Sequence, residues 1–372
     1  MSVSSGLVLL TPGPLTTSDR VKAAMLRDWG SRDPAFTRLA GEVLSRVRDL
    51  AGGRPGEHIC VPVQGSGTFA VEAMLGSLLR PDERLLLLVN GAYGRRMAEI
   101  CRRLGRPFEV VEVAETQAHD PAALADRLAA DPGIAAVAIV HCETTSGLVN
   151  PLEAIAAVTR AAGRRLLVDA MSSFGALAVD MSGWGISALA ASSNKCLQGV
   201  PGLAFVVCRT DELAARAGVS PSLALDLEDQ ARALAGDGQW RFTPPTHVVA
   251  ALHEALRELA EEGGPAARLN RYTANRDTLI AGMARLGFVL ALDPALQAPV
   301  IVSFLEPQED WYDFSAFYDA LEARGFAIYA GKMKALGTFR VGTIGAIDSL
   351  VIERFLAAVQ AVVTDLKQKL IR

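Results

Sequence analysis

The sequence is poor in cysteine, carries no excess of positive charge and contains no long apolar run. Its five cysteines, at positions 60, 101, 142, 196 and 208, are odd in number and scattered. That argues against a disulfide framework or a structural zinc site and points to free thiols in a reducing compartment. Lysine and arginine (37) are outnumbered by aspartate and glutamate (41), for a formal net charge of −4. With no basic stripe, nucleic acid is not an expected partner. No apolar stretch reaches the roughly 20 residues needed to span a bilayer. The N-terminus, MSVSSGLVLLTPGPL, has no basic region and only a short apolar run before Pro12, so neither a signal peptide nor an anchor is expected. These absences together predict a cytoplasmic protein. Histidine is also scarce: His58, His119 and His253 have no partner at metal or triad spacing and read as ordinary, and no metal site is expected.

What is present is an apolar, moderately charged chain (50% hydrophobic, 21% charged) of 372 residues, long enough for two domains. Residues 7–14 (LVLLTPGP) read as an extended arm. Residues 18–29 read as a helix capped by Ser18, and 35–51 as a second helix with Phe36, Leu39, Val43, Leu44, Val47 and Leu50 on one face. From residue 59 strands and helices alternate. Strands are expected at 59–63, 84–89, 108–113, 134–141, 165–169, 188–191 and 202–208, with helices between most of them and a polar loop at 142–150. Continuous apolar strands alternating with helices predict a mostly parallel sheet covered on both faces. The C-terminal part reads as helix 265–286, strands 299–304, 326–329 and 338–341, and helices 314–324 and 348–367. The expected organisation is an N-terminal arm (1–20), a large α/β domain (21–262) and a smaller α+β domain (263–372).

Chemistry-bearing residues collect after the strands. Lys195 lies in SSNKCLQGVPG, between two apolar runs; it reads either as a loop lysine or as a nucleophile whose pKa is lowered by partial burial. Asp169 ends the strand LLVD, where a buried carboxylate is costly unless paired. It reads as a helix cap, a metal ligand (no second carboxylate or histidine lies nearby) or the partner of a ring nitrogen. An Asp for a pyridinium nitrogen and a Lys for a Schiff base are the two requirements of pyridoxal phosphate chemistry. The turn Gly65-Ser66-Gly67-Thr68 at a helix start offers N–H groups and hydroxyls to a phosphate, though alone it is weak evidence. Tyr93, at the next strand end, can stack on a ring or merely sit at a rim.

These residues, with LLTPGPLTTS, QGSGTFAVEAMLGSLL, NGAYGRRM, HCETTSGLVNP, VDAMSSFGALAVD, SSNKCLQGVPGLAFV, RFTPPTHVVAALHEALRELAEEGG and FRVGTIG, resemble the 2-aminoethylphosphonate–pyruvate transaminases, a family of class V, fold-type I aminotransferases. The resemblance runs from about residue 7 to the final helix. It implies an α/β fold-type I architecture, with a large mostly parallel-sheet domain and a smaller α+β C-terminal domain, and pyridoxal 5'-phosphate as cofactor. It implies Lys195 as the Schiff-base lysine, Asp169 at the pyridine nitrogen and Thr144 near the ring hydroxyl. Ser66, Gly67, Thr68 and Asn194 would hold the phosphate. Thr243 would reach the phosphate of a neighbouring subunit in a homodimer, and Arg340 would bind the pyruvate carboxylate as a bidentate fork.

Two positions depart from the family's usual pattern. Arg32 stands in Ser31-Arg32-Asp33, where members often have Trp-Asp. Thr343 stands in FRVGTIG, where Asn is common. The implied reaction is transfer of the amino group of 2-aminoethylphosphonate to pyruvate, giving phosphonoacetaldehyde and L-alanine by ping-pong kinetics. The rival on the same fold is an alanine–glyoxylate or serine–pyruvate type aminotransferase. A desulfurase would need a cysteine on a mobile Gly/Ser loop, and Cys196 reads as packing instead.

Overall fold

The computed structural model describes residues 6–331, 333 and 335–370. Residues 1–5 of the expected arm, and 332, 334, 371 and 372 of the expected C-terminal part, lie outside the described residues. The chain opens with strand β1 (Val8–Leu9), then helices α1 (Asp19–Ala23) and α2 (Pro34–Leu50). Asp33 caps α2 by accepting from the Ala35 N–H, and Pro34 occupies the first turn, where its missing donor is not needed. The helix expected over 18–29 is shorter than its sequence suggests. After α1 comes one 3-10 turn at Ala24–Leu26, and Arg27 is already extended. Val21 is the one buried residue of α1 and Leu26 is 87% exposed, so no apolar face supports further turns.

The central alternation follows: β2 (His58–Gln64), α3 (Gly67–Leu78), β3 (Arg84–Val89), α4 (Ala92–Arg103), β4 (Phe108–Glu112), α5 (Pro121–Ala130) and β5 (Ile134–Val140). The expected polar loop at 142–150 contains a small hairpin, β6 (Cys142–Glu143) and β7 (Leu148–Val149). Then come α6 (Leu152–Ala161), β8 (Arg165–Asp169), α7 (Met181–Trp184), β9 (Ala188–Ser192) and β10 (Leu203–Arg209). The seven-stranded sheet has the order β2-β10-β9-β8-β5-β3-β4. All pairings are parallel except those of β10, which runs antiparallel to both β2 and β9. Successive residues of β3 serve opposite faces. Leu86 and Leu88 join a core with α2, α6 and later helical residues, while Leu85, Leu87 and Val89 join another with α3 and α4.

Helices α8 (Thr210–Ala214), α9 (Leu227–Asp237), α10 (Thr246–Glu262) and α11 (Gly264–Arg285) lead to the C-terminal elements. These are β11 (Ile301–Leu305), α12 (Phe314–Glu322), β12 (Phe326–Ala327), β13 (Tyr329–Ala330), β14 (Thr338–Gly342) and α13 (Ser349–Lys369). The single strand expected at 326–329 is split. Its first half pairs in parallel with β1 and its second half pairs with β14. The N-terminal arm is therefore stitched into the C-terminal core, where Val8 and Leu10 pack with Phe304, Phe339 and Phe355.

Candidate active site

In parallel sheets of this kind, ligands bind beyond the carboxyl ends of the strands, and here five strand ends converge. Beyond β2 lie Ser66, Gly67 and Thr68; beyond β3, Tyr93; beyond β5, Cys142 and Thr144; at the end of β8, Asp169; and beyond β9, Asn194 and Lys195. All of them line one cavity of about 320 Å³. Of the expected cofactor and catalytic residues only Thr243 is absent from this wall. It is exposed, and its carbonyl accepts from Gln64 Nε2 at 2.6 Å outside the cavity.

Asp169 is 4% exposed, and its Oδ1 accepts from the Met171 N–H at 2.9 Å. Loss of solvent pushes its pKa up to about 6, against the pull of that N–H. Burial also pulls the Lys195 amine down, to about 8. Its Nζ donates to the Gly13 carbonyl at 3.3 Å, so the arm reaches into the site. Gly13 is required there: its φ is +113°, and a Cβ would lie 2.6 Å from the Asn194 carbonyl.

The lysine loop is pinned from behind. The Lys195 carbonyl accepts from Gln198 N at 2.8 Å, and Ser193 O from Gly199 N at 2.8 Å. On α11, the buried Arg268 donates through Nη1 to the carbonyls of Cys196 (3.0 Å) and Leu197 (3.3 Å), while pairing with Glu262 at 2.7 Å. Gln198, at φ 64°, reaches the Tyr272 hydroxyl (2.6 Å) and the Gly345 carbonyl (2.8 Å). Cys196 is buried with its thiol pKa pushed up to about 12, the state of a packing residue rather than a nucleophile.

Arg340 does not line the cavity but stands directly behind it. It is 2% exposed on β14, donates through Nη1 to the carbonyl of Thr144 at 2.7 Å and through Nε to Ala330 O at 3.0 Å, and lies 5.9 Å from the Tyr329 ring centroid. It is not a surface ion pair. Thr343, one of the two departures, is buried in a structural role: its hydroxyl donates to Pro299 O at 3.1 Å and its carbonyl accepts from Asn275. Arg32, the other, is exposed.

Sequence reasoning missed several cavity residues. Gly13 and Pro14 come from an arm whose destination no local pattern encodes. Arg96 lines the cavity, donates to Thr68 Oγ1 at 3.0 Å and lies 4.8 Å from the Tyr93 ring centroid. Its neighbour Arg95 is instead paired with Glu112 and Glu115 outside the cavity. In the RR pair only the helical offset from Tyr93 distinguishes the two. Glu143, fully buried, was legible only as one letter of a motif.

A buried carboxylate short of partners, a lysine on the same wall whose burial eases it toward the neutral amine and a helix start left uncapped by its own Ser66 side chain suit a ligand that is cationic at one end, carries a carbonyl and ends in an anion. The fold and this wall define an α/β enzyme that uses a phosphorylated ring cofactor. Residues 17–343 match the family model "Aminotransferase class-V". A 2-aminoethylphosphonate–pyruvate transaminase of Pseudomonas aeruginosa is 51% identical over 360 residues, covering 97% of each chain. Among solved structures, the ureidoglycine–glyoxylate aminotransferase of Bacillus subtilis superposes with a TM-score of 0.89 at 26% identity, over 99% of this chain and 95% of that one. The pyridoxamine–pyruvate aminotransferase of Mesorhizobium loti does so at 0.89 and 27%, over 99% and 94%. The chain belongs to the class V aminotransferases of fold type I and, within them, to the 2-aminoethylphosphonate–pyruvate transaminase family. It is a transaminase, and its cofactor is pyridoxal phosphate.

Proposed function

We propose that the enzyme moves the amino group of 2-aminoethylphosphonate to pyruvate, producing phosphonoacetaldehyde and L-alanine. The observation that carries the catalytic half of this reading is the meeting of Lys195, Asp169 and the Ser66–Thr68 turn in one cavity. The identity to the P. aeruginosa relative supports the choice of donor and acceptor. When bound, pyridoxal phosphate supplies a carbonyl that condenses with amines and a ring that takes up electrons. Asp169 presents its carboxylate to the ring nitrogen and holds the proton there. The first turn of α3, with Ser66, Gly67 and Thr68, together with Asn194 of the same cavity wall, would hold the phosphate. Tyr93 would stack on the ring, and Thr144 would lie near the ring hydroxyl. Lys195 acts through Nζ: its neutral amine is the nucleophile, and it carries a proton between substrate carbons. Arg340, a buried guanidinium without an ion pair among the described residues, offers its charge to the substrate anion.

We further propose a cytoplasmic homodimer in which Thr243 completes the phosphate site of the partner. The five buried free cysteines support the reducing compartment. Exposed apolar side chains near the cavity rim and Thr243, Phe69 (48%) and Phe242 (45%), support a covered face. A donor panel tests the substrate claim: with pyruvate as acceptor, alanine should form fastest from 2-aminoethylphosphonate. Faster turnover of L-serine or another carboxylated donor would favour the alanine–glyoxylate or serine–pyruvate reading.

A further inference from the structure

Helix α4 begins without a cap of its own. Its N-cap is Gly91, which has no side chain to offer the first-turn N–H groups. Those groups are nevertheless taken, by residues of the β6–β7 hairpin. Glu143 Oε2 accepts from the N–H of Tyr93 (3.2 Å) and of Gly94 (3.4 Å). Thr145 Oγ1 accepts from Ala92 N (3.0 Å) and donates to Glu143 Oε1, which also accepts from Thr145 N (3.1 Å). The Glu143 side chain is 0% exposed. Burying a carboxylate is expensive, and a serine or aspartate at the N-cap would satisfy the same helix end locally at lower cost. A carboxylate brought from another strand end does something a local cap does not: it ties together two loops.

Those loops, which follow the neighbouring strands β3 and β5, each carry a residue of the cavity wall. α4 carries Tyr93, and the residue after Glu143 is Thr144, whose carbonyl accepts from Arg340 at 2.7 Å. Gly91 makes room for the link. Its φ of 173° is open to any residue, yet a Cβ there would lie 2.3 Å from both Cγ and Cδ of Glu143. The glycine is kept by space, and the space is filled by this carboxylate.

We propose that Glu143 is a positioning residue of the active site: its buried carboxylate, acting through the N–H groups of α4 and through Thr145, sets the relative placement of Tyr93 and Thr144, and through Thr144 that of Arg340. This rests on the reading that Tyr93 and Thr144 contact the cofactor. Glu143 itself does not line the cavity, so it acts on affinity and geometry rather than on proton transfer.

The test uses two unrelated perturbations of one link. Glu143→Gln replaces one of two acceptor oxygens by an amide N–H₂, which then meets backbone N–H donors whichever way the amide turns, and Gly91→Ala displaces an unaltered Glu143. Both variants should bind pyridoxal phosphate at least roughly tenfold more weakly, raise KM for pyruvate by a similar factor and change the visible circular dichroism of the bound cofactor, since small displacements of positioned groups carry such penalties. Thr145→Ser, which keeps the bridging hydroxyl, should behave as wild type. Thr145→Val, a milder lesion that serves if the others fold poorly, should shift Kd and KM in the same direction. Unchanged Kd, KM and dichroism in variants that have merely lost thermal stability would reduce Glu143 to a helix cap and overturn the proposal. Tyr93→Ala in the same titration checks the underlying reading: an unchanged Kd there would remove the wall that Glu143 is said to set. A raised Kd in Tyr93→Ala beside unaffected Glu143→Gln and Gly91→Ala would overturn the role of Glu143 alone.

Discussion

Lys195 shows how much one residue owes to its surroundings. A solvated lysine is almost wholly protonated at neutral pH and a poor nucleophile. Burial favours its neutral form and brings the amine down to about 8, while the charge of Asp169 pulls the other way. The consequence has a definite sign. Below about pH 8 the amine is protonated and unreactive; above it the amine is free. Uptake of pyridoxal phosphate by the apoenzyme should therefore accelerate with pH through a midpoint near 8, followed by the growth of visible absorbance. A midpoint near the ordinary lysine value of 10.5 would contradict the burial account. From its neighbours, small and polar residues between apolar runs, Lys195 was legible only as a loop lysine or a nucleophile; the structure seats it on the cavity wall. Its hydrogen bond to Gly13 was not legible, because an extended arm carries no periodicity to say where it lands.

At the scale of elements, legibility tracked the strength of local signals. The alternation of apolar strands with helices identified nearly every element of the central sheet, since continuous apolar runs and capped amphipathic helices are local properties. The antiparallel placement of β10 was not legible: its run LAFVVC is as apolar as its parallel neighbours, and direction is decided by the short lysine loop that returns the chain. Nor was the split of 326–329 between two sheets, which depends on β1 and β14 arriving from opposite ends of the chain. The anchoring of the lysine loop by α11 was equally hidden, because nothing local marks Arg268 as different from the other arginines of that helix. It is 1% exposed, pairs with Glu262 and holds two loop carbonyls. Arg268→Met should leave the Leu197 carbonyl without this donor, the Cys196 carbonyl with only the Tyr272 hydroxyl at 3.4 Å and Glu262 with only Arg271 at 2.8 Å, and destabilise the protein by about 2 kcal/mol, the scale for leaving buried acceptors unsatisfied, measured by denaturant unfolding of the apoenzyme. A loss under about 1 kcal/mol, the scale of an exposed pair, would mean that the loop holds itself.

For the whole molecule, the expected site residues divide into two groups. Ser66, Gly67, Thr68, Tyr93, Thr144, Asp169, Asn194 and Lys195 meet in one chain, whereas Thr243 faces outward beside an exposed Phe242. Motif resemblance could name Thr243 but could not show where it points. If it serves the partner subunit, two inactive variants should rescue each other. Lys195→Ala removes the amine, and Thr243→Asp sets a carboxylate against the phosphate. In a mixed dimer one of the two sites inherits neither lesion, so activity should return on mixing and re-association. No recovery in a mixture shown to contain heterodimers would place Thr243 in the service of its own chain.

The central claim is that one cavity, built around Lys195, passes an amino group from 2-aminoethylphosphonate to pyruvate in two separable halves. The most direct measurement is a single turnover. Holoenzyme mixed with 2-aminoethylphosphonate and no pyruvate should release one equivalent of phosphonoacetaldehyde per site. Pyruvate added after removal of the free donor should then yield one equivalent of L-alanine. An enzyme that releases no aldehyde, or releases it only when both substrates are present together, would contradict the account.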